Sequence, residues 1–259
     1  MTAPEYWNEA LAEASIDDHP PLWRAHADAL NRALIDRWSA GRRAERVLVT
    51  DLFDESCRTG SKPALDRAAR VVIGIDAAES VCARARRIHR GLRAAVARVD
   101  RLPFGDAAFD RVVSRSTLDH FETHEEIDTA LAELRRCLRP DGELWITLDN
   151  AENPVVALRN ALPFAWLRRL GLVPYFVGAT DGATALRRRL RAAGFDVREV
   201  GTLMHCPRVL ALALARRLGH AGEGVQRRFL DVLRGFERLD RAATRFVTGH
   251  YVTARAVRR

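Results

Sequence analysis

The sequence predicts an α/β fold with a seven-stranded, doubly wound, mostly parallel sheet and helical additions. From Arg46 onwards, short apolar segments alternate with segments of helical periodicity. The apolar segments are continuous rather than alternating, which is typical of strands buried on both faces. Right-handed crossovers between such strands place helices on both sides of the sheet.

The chain of 259 residues is long enough for one α/β domain with an appended cap. We expect a helical cap over residues 1–44 and the α/β domain over residues 45–259. In the cap, apolar residues recur at helical spacing, Pro20 and Pro21 separate two helices, and Gly41 ends the second.

The remaining elements follow from the alternation of patterns. Strands are predicted over 47–50, 71–76, 94–99, 109–114, 144–148, 196–203 and 251–257. Helices are predicted over 62–69, 80–90, 125–138, 183–193, 207–218 and 223–246. Arg139 to Gly142 (RPDG) predicts a turn before the fifth strand.

Two insertions interrupt the regular pattern. Residues 151–182 mix prolines and glycines with large apolar side chains, which predicts a short helical lid. Residues 207–246 form the second, helical insertion. We expect the lid, this insertion and the N-terminal helices to enclose the sides of any ligand site.

The composition limits the classes of partner. The net charge is +8, and the arginines are scattered among acidic residues. We interpret this as coding bias, with a basic face for anionic ligands as the alternative; nucleic acid is not favoured. The four cysteines include no CxxC pair, so neither zinc nor any other metal is expected.

Neither a secretory leader nor an apolar stretch of about 20 residues is present in the sequence. We therefore expect a cytoplasmic protein with reduced thiols and no stable membrane insertion. The oligomeric state is left open.

Three segments carry a resemblance to a known family. These segments are VVIGIDAAESVCARAR from Val71, LPFGDAAFDRVVS from Leu102, and LRRCLRPDGELWITL from Leu134. In this order they resemble the class I S-adenosylmethionine-dependent methyltransferases, close to the type 11 small-molecule group. The resemblance implies a Rossmann-like methyltransferase fold, S-adenosylmethionine as the cofactor and methyl transfer to a small molecule.

The resemblance also implies a cofactor site. Asp76 ends the second strand, where a carboxylate can accept hydrogen bonds from both ribose hydroxyls; the alternative is a carboxylate that caps the next helix. Arg98 stands where the family has an acidic residue for the adenine amino group, so either Asp100 or a backbone group takes that role. The cofactor-binding set is Thr50, Asp51, Phe53, Asp76, Ala77, Val99, Asp100, Ser114 and Ser116.

The first loop departs from the family pattern. Where the family has VLDLGCGTG, this chain has VLVTDLFDESCRTG, with Asp51, Phe53 and Glu55 in place of glycines. Glycine there lets the backbone approach the cofactor closely. Either a remodelled loop still binds, with Asp51 near the ammonium group and Phe53 near the sulfonium, or the site is degraded.

Candidate catalytic residues follow two strands. Asp119 and His120, in the segment STLDHF, are a candidate base or acceptor-positioning pair. The alternative is that Asp119 caps a turn and His120 packs against the cap. His205 follows the sixth strand and is a second candidate, against a buried structural role. Substrate contacts are expected from Asn150, Asn160 and Tyr175.

We therefore expect S-adenosylmethionine-dependent methyl transfer to a small-molecule acceptor. Two alternatives stay open: a binding or scaffold protein that has lost the cofactor, and an enzyme that uses the sulfonium cofactor for a non-methylating reaction. A nicotinamide dehydrogenase is not expected, because no GxGxxG segment follows the first strand.

Overall fold

The computed structural model describes residues 20–169 and 176–259. In these ranges the chain forms one seven-stranded sheet in the order β3-β2-β1-β4-β5-β7-β6. Strands β1 to β5 pair in parallel, and β7 lies antiparallel between β5 and β6. The fold class that the sequence predicts is confirmed.

The strands agree with the predicted ones to within a few residues at most ends. They are β1 (Ala44–Val49), β2 (Ala69–Asp76), β3 (Arg93–Val96), β4 (Phe109–Arg115), β5 (Leu138–Asp149), β6 (Phe195–Leu203) and β7 (Tyr251–Arg258). The helices are α1 (Pro21–Ser39), α2 (Phe53–Cys57), α3 (Lys62–Ala68), α4 (Glu79–Ile88), α5 (His124–Cys137), α6 (Pro154–Ala161), α7 (Phe164–Arg169), α8 (Ala183–Ala192), α9 (Arg208–Leu218), α10 (Glu223–Phe236) and α11 (Arg245–Thr248). The 3₁₀ turns are Leu118–His120 and Glu237–Arg241.

Helices cover both faces of the sheet. On one face α5 and α8 bury a cluster that includes Ile127, Leu131, Leu186 and Leu190. On the other face α1, α3 and α4 pack over the sheet. The rings of Trp38 and Trp145 contact each other edge to face there, with their centroids 5.8 Å apart. Both faces are therefore closed to water, which explains the continuous apolar pattern of the inner strands.

Two predicted boundaries are wrong. The fifth strand begins at Leu138, because Leu138 already pairs with Phe109. The predicted turn over 139–142 is an irregularity within that strand, with Asp141 at φ +61°.

The predicted helix over 223–246 is broken at Phe236. The carboxylate of Glu237 accepts hydrogen bonds from the backbone N–H groups of Met204 and His205, at 3.1 and 3.0 Å. This contact ties the chain to the end of β6, so a 3₁₀ turn and the short helix α11 follow instead of a continuous helix.

The lid contains two short helices, α6 and α7, and Asn153 caps the first through bonds from the N–H groups of Val155 and Val156. Residues 1–19, which include the first helix of the predicted cap, and residues 170–175 lie outside the described residues.

The direction in which the sheet grows changes between β1 and β4. These strands are neighbours, yet β2 and β3 continue on one side and β5 on the other. In open α/β sheets, ligands bind in the crevice at the carboxyl ends of the strands at this switch point. The residues after Val49 and Arg115 therefore mark the place to look for a site.

Candidate functional site

A cleft of about 260 Å³ opens at the carboxyl ends of β1, β2 and β4. Eight of the residues predicted for cofactor binding or catalysis line it: Thr50, Asp51, Phe53, Asp76, Ala77, Val99, Ser116 and His120. Three loops that are far apart in sequence thus meet at the switch point of the sheet.

The Asp76 carboxylate links the loop after β1 to the loop after β2. Its Oδ1 accepts the N–H of Ala78 at 2.9 Å, and its Oδ2 accepts the N–H of Leu52 at 3.2 Å. Each carboxylate oxygen can accept a further hydrogen bond. The carboxylate thus has capacity left for two adjacent hydroxyl groups while it fixes the loop after β1.

The loop after β1 turns into α2 directly, with Leu52 and Phe53 in opposite environments. Leu52 is buried beneath β2, where a Cβ on Gly74 would lie 2.4 Å from its Cδ2. Because Gly74 has no side chain, it leaves space for Leu52. The Leu52 side chain can therefore pack under β2 instead of entering the cleft. Phe53 lines the cleft, and the guanidinium of Arg24 lies 6.0 Å from its ring centroid.

Glu55 points away from the cleft. Its side chain is 1% exposed, and its two oxygens accept from Nη2 of Arg115 at 3.1 and 3.0 Å. It also accepts the N–H of Ser61 at 2.9 Å, while Nη1 of Arg115 donates to Asp54 and Ser61. The glycine-poor loop is thus a short helix held by a buried ion pair, and Glu55 is absent from the residues that line the cleft.

Asp51 and Asp76 make the floor of the cleft acidic. Burial and the neighbouring Asp76 carboxylate raise the pKa of Asp51 well above its usual value, and burial raises the pKa of Asp76. The N–H of Phe53 donates to Oδ1 of Asp51 at 2.9 Å. A cationic group bound here would relieve the repulsion between the two carboxylates.

Hydroxyl groups form the centre of the site. Thr50 Oγ1 lies 3.0 Å from Ser114 Oγ and 2.8 Å from Thr117 Oγ1. Ser114 is fully buried and reaches the cleft only through Thr50. Ser116 has a positive φ of 44°, and its N–H donates to the carbonyl of Thr147 at 2.9 Å. Asp100 does not line the cleft and instead pairs with Arg98, which does.

The structure separates the two members of the predicted catalytic pair. His120 lines the cleft, with Nδ1 2.9 Å from the carbonyl of Phe176. Asp119 is 1% exposed, lies outside the cleft and accepts the N–H of Asp149 at 2.9 Å. Burial raises the pKa of Asp119 to about 6. Of the two, His120 has the access that a substrate contact requires.

His205 lies outside the cleft in a buried polar cluster. Its Nδ1 is 2.8 Å from Thr248 Oγ1 and its Nε2 is 3.4 Å from Thr202 Oγ1. Burial lowers the pKa of His205. These contacts correspond to the structural alternative that the sequence left open.

The predicted substrate residues do not meet at the cleft. Asn150 is fully buried and donates to the carbonyls of Phe246 and Gly249. Asn160 is exposed and accepts from Arg159 in a separate depression beneath the lid. Tyr175 lies outside the described residues.

Several cleft residues were missed by the sequence interpretation. Helix α1 contributes Trp23, Arg24, Ala27, Asp28 and Asn31. The end of β6 and the start of β7 contribute Leu203, Met204 and Tyr251, and the start of α9 contributes Arg208. The expectation that the N-terminal helices close one side of the site is therefore met by α1. The pattern that could have identified these α1 residues is their helical spacing: counted from Trp23, they lie at i, i+1, i+4, i+5 and i+8, on a second face beside the apolar stripe.

Two further observations concern ligands and membranes. In residues 20–169 and 176–259, no group of three or more His, Cys, Asp or Glu side chains is arranged to hold a metal ion. None of the helices in the same ranges has both the length and the apolar character to span a bilayer.

Comparison with known proteins agrees with this geometry. Residues 54–146 match the family model described as a methyltransferase domain. The match begins just after the loop over 50–53 and includes Asp76 and the segment that follows β4. No curated protein matches the chain.

Solved structures with a similar fold have different activities. The [4+2]-cyclase SpnF is 21% identical (TM-score 0.56) and aligns over 90% of this chain and 80% of its own. A possible histamine N-methyltransferase from Thermotoga maritima is 16% identical, with a TM-score of 0.57, and aligns over 99% of this chain and 97% of its own. Geranyl diphosphate C-methyltransferase from Streptomyces coelicolor is 16% identical, with a TM-score of 0.55, and aligns over 89% of this chain and 78% of its own. At these identities the likeness concerns the fold alone.

The sheet order, the cleft and the matched segment resemble those of the class I S-adenosylmethionine-dependent methyltransferases. S-adenosylmethionine is the cofactor that this resemblance indicates. The residues present fit such a group, because Asp76 keeps acceptor capacity in an open cleft and Glu55 is directed out of it.

Proposed function

We propose that the protein transfers the methyl group of S-adenosylmethionine to a small-molecule acceptor. The observation that carries this proposal is the cleft at the switch point, whose floor holds two carboxylates and whose rerouted first loop leaves it open. When bound, the cofactor supplies an electrophilic methyl group on a sulfonium.

Each cleft residue has a part in binding or orientation. Asp76 would hold the ribose hydroxyls, and Asp51 would pair with the ammonium group, where its raised pKa falls as the cation binds. Phe53 would present its ring to the sulfonium, which favours a cation near its face. Ala77 and Val99 would pack against the adenine. Thr50 and Ser116 would fix the loops that line the cleft.

Catalysis in this arrangement is mainly positioning. Holding an acceptor in line with the methyl carbon removes most of the entropic barrier to a displacement. His120 lines the cleft next to Phe121 and is the residue that we assign to contact with the acceptor. The carbonyl of Phe176 orients its ring through Nδ1.

Calorimetry with S-adenosylhomocysteine tests the proposal. The wild-type protein should bind it, and Asp76→Asn should weaken binding about tenfold or more, because one charged acceptor of hydroxyl protons is lost. Asparagine is nearly isosteric and can still accept one of the two backbone N–H groups, so the fold should survive.

The matched control is Asp231→Asn, which removes an exposed carboxylate that pairs with Arg234 on α10. This variant should bind as the wild type does. If the wild-type protein gives no heat, the proposal fails in favour of a scaffold that has lost the cofactor. If Asp76→Asn binds as tightly as the wild type, Asp76 is not a ribose ligand.

A further inference from the structure

The cleft wall opposite the sheet carries a carboxylate, Asp28, that has no hydrogen-bond or ion-pair partner among the described residues. Asp28 lines the cleft from the middle of α1, beside Trp23, Ala27 and Asn31. It is half-buried, and its carboxylate makes no hydrogen bond or ion pair with any residue in the described ranges. A half-buried carboxylate in a ligand cleft is costly unless something cationic or hydrogen-bonding meets it.

Three arginines of the cleft already have partners. Arg98 pairs with Asp100, and Arg115 pairs with Asp54 and Glu55. Arg208 contacts His250, and its guanidinium lies 5.9 Å from the Trp23 ring centroid. Asp28 therefore differs from these groups, because its charge is left for a ligand to satisfy.

The groups that face Asp28 come from three elements. Arg32 lies on the same helix, but its Nη1 donates to the carbonyl of Gly60 at 3.2 Å. The charges of Asp54 and Glu55 on α2 and of Arg115 on β4 act on the Asp28 carboxylate electrostatically. Burial and the nearby Asp54 raise the pKa of Asp28 to about 6, so the carboxylate is mostly ionised at neutral pH.

The wall around Asp28 is largely apolar. Trp23, Phe121, Leu203 and Met204 line the same cleft, and Phe53 lies across from α1. An apolar pocket with one charged group selects a ligand with an apolar body and a single complementary charge. Aromatic rings near a cation add a further attraction.

We propose that Asp28 binds the acceptor through its nitrogen, and that the acceptor is an apolar or aromatic amine that the protein methylates on nitrogen. This inference rests on the function proposed above and deepens it. It makes Asp28 a catalytic residue of that reaction, and it places the amine between α1 and the carboxyl ends of the strands.

The proton balance of the step requires a group of this kind. A protonated amine has no lone pair, so its N–H proton first passes to the Asp28 carboxylate. The freed lone pair forms the N–C bond while the C–S bond breaks and its electron pair stays on sulfur. The methylated ammonium keeps its other protons, and Asp28 returns its proton to water when the product leaves.

The test is calorimetric binding of 2-phenylethylamine to the protein saturated with S-adenosylhomocysteine. The wild-type protein should bind the amine and should bind 3-phenylpropionate, a carboxylate of similar size, at least tenfold more weakly. Asp28→Asn should lose about tenfold or more in amine affinity and bind S-adenosylhomocysteine unchanged. Asp36→Asn, on the same helix but in an exposed pair with Arg67, is the control.

The pH dependence adds an independent readout. The amine stays protonated between pH 5 and 8, as alkyl ammonium groups do, with a pKa of about 10. Amine affinity of the wild type should therefore fall as the pH is lowered through about 6, where the Asp28 carboxyl takes up its proton. Asp28→Asn should lack this fall.

Three results would overturn the inference: no binding of the amine at millimolar concentration, equal amine affinity in wild type and Asp28→Asn, or preference for 3-phenylpropionate. Failure of S-adenosylhomocysteine to bind would instead overturn the proposed function. The two failures are thus distinguished within one set of titrations.

Discussion

Asp119 is a carboxylate next to the cleft whose contacts are structural. It lies outside the cleft, its Oδ2 accepts the N–H of Asp149, and its Oδ1 is buried without a hydrogen-bond partner in the described residues. Burial raises its pKa to about 6, so the ionised form is costly in the folded state.

This pKa predicts a pH dependence of stability. Below about pH 4 the carboxyl is protonated in both states, whereas above that pH the unfolded chain loses the proton first. The free energy of unfolding should therefore fall as the pH rises from about 4 to about 6, by roughly 2–3 kcal/mol in total. Urea unfolding across this range should show the fall in the wild type and a smaller slope in Asp119→Asn.

The control is Asp106→Asn, because the Asp106 side chain is 78% exposed. It should keep the wild-type slope. Identical slopes in wild type and Asp119→Asn would show that Asp119 does not titrate in the folded state near pH 6.

Helix α2 depends on one buried ion pair. Arg115 donates to Glu55, Asp54 and Ser61, and both Arg115 and Glu55 are almost completely buried. Removing one partner of a buried pair leaves an uncompensated charge, which costs about 3–5 kcal/mol. Replacing both partners with apolar residues avoids that cost.

We therefore expect Arg115→Gln to lower the free energy of unfolding by about 3–5 kcal/mol in urea titrations. The double variant Arg115→Met with Glu55→Leu should recover most of this loss. Arg67→Gln breaks an exposed pair with Asp36 and should cost at most about 1 kcal/mol. If Arg115→Gln costs no more than Arg67→Gln, the pair does not stabilise α2.

The sequence was sufficient to predict the strands and most of their carboxyl-terminal loops. Continuous apolar runs identify buried strands, and Asp51, Asp76 and Ser116 follow them directly. Helix α2 was missed because its five residues show no periodicity and depend on Arg115, 60 positions away from Glu55. The individual α1 residues that line the cleft were missed, because tertiary contacts determine which face of α1 meets the sheet.

At the scale of the whole molecule, the cleft joins parts of the chain that are distant in sequence. Its walls come from α1, from the loops after β1, β2 and β4, and from the junctions at Met204 and Tyr251. A ligand that contacts all of these parts links them, and binding to the folded state alone stabilises it by mass action.

Hydrogen exchange should report this linkage. On binding S-adenosylhomocysteine, amides in residues 50–58 and 76–79 should exchange more slowly, and addition of the amine should extend the protection to α1. Peptides from α8, which packs on the opposite face, should change little. Protection confined to residues 50–58 would show that α1 is not part of the ligand site.

The contact between Leu52 and Gly74 has a consequence for how such chains are recognised. Gly74 in the second strand is the residue whose missing side chain admits Leu52 of the first loop. Searches that score only glycines after the first strand will pass over proteins built in this way. A paired signature, with a bulky aliphatic residue in the loop and glycine two positions before the strand-ending aspartate, would retrieve them.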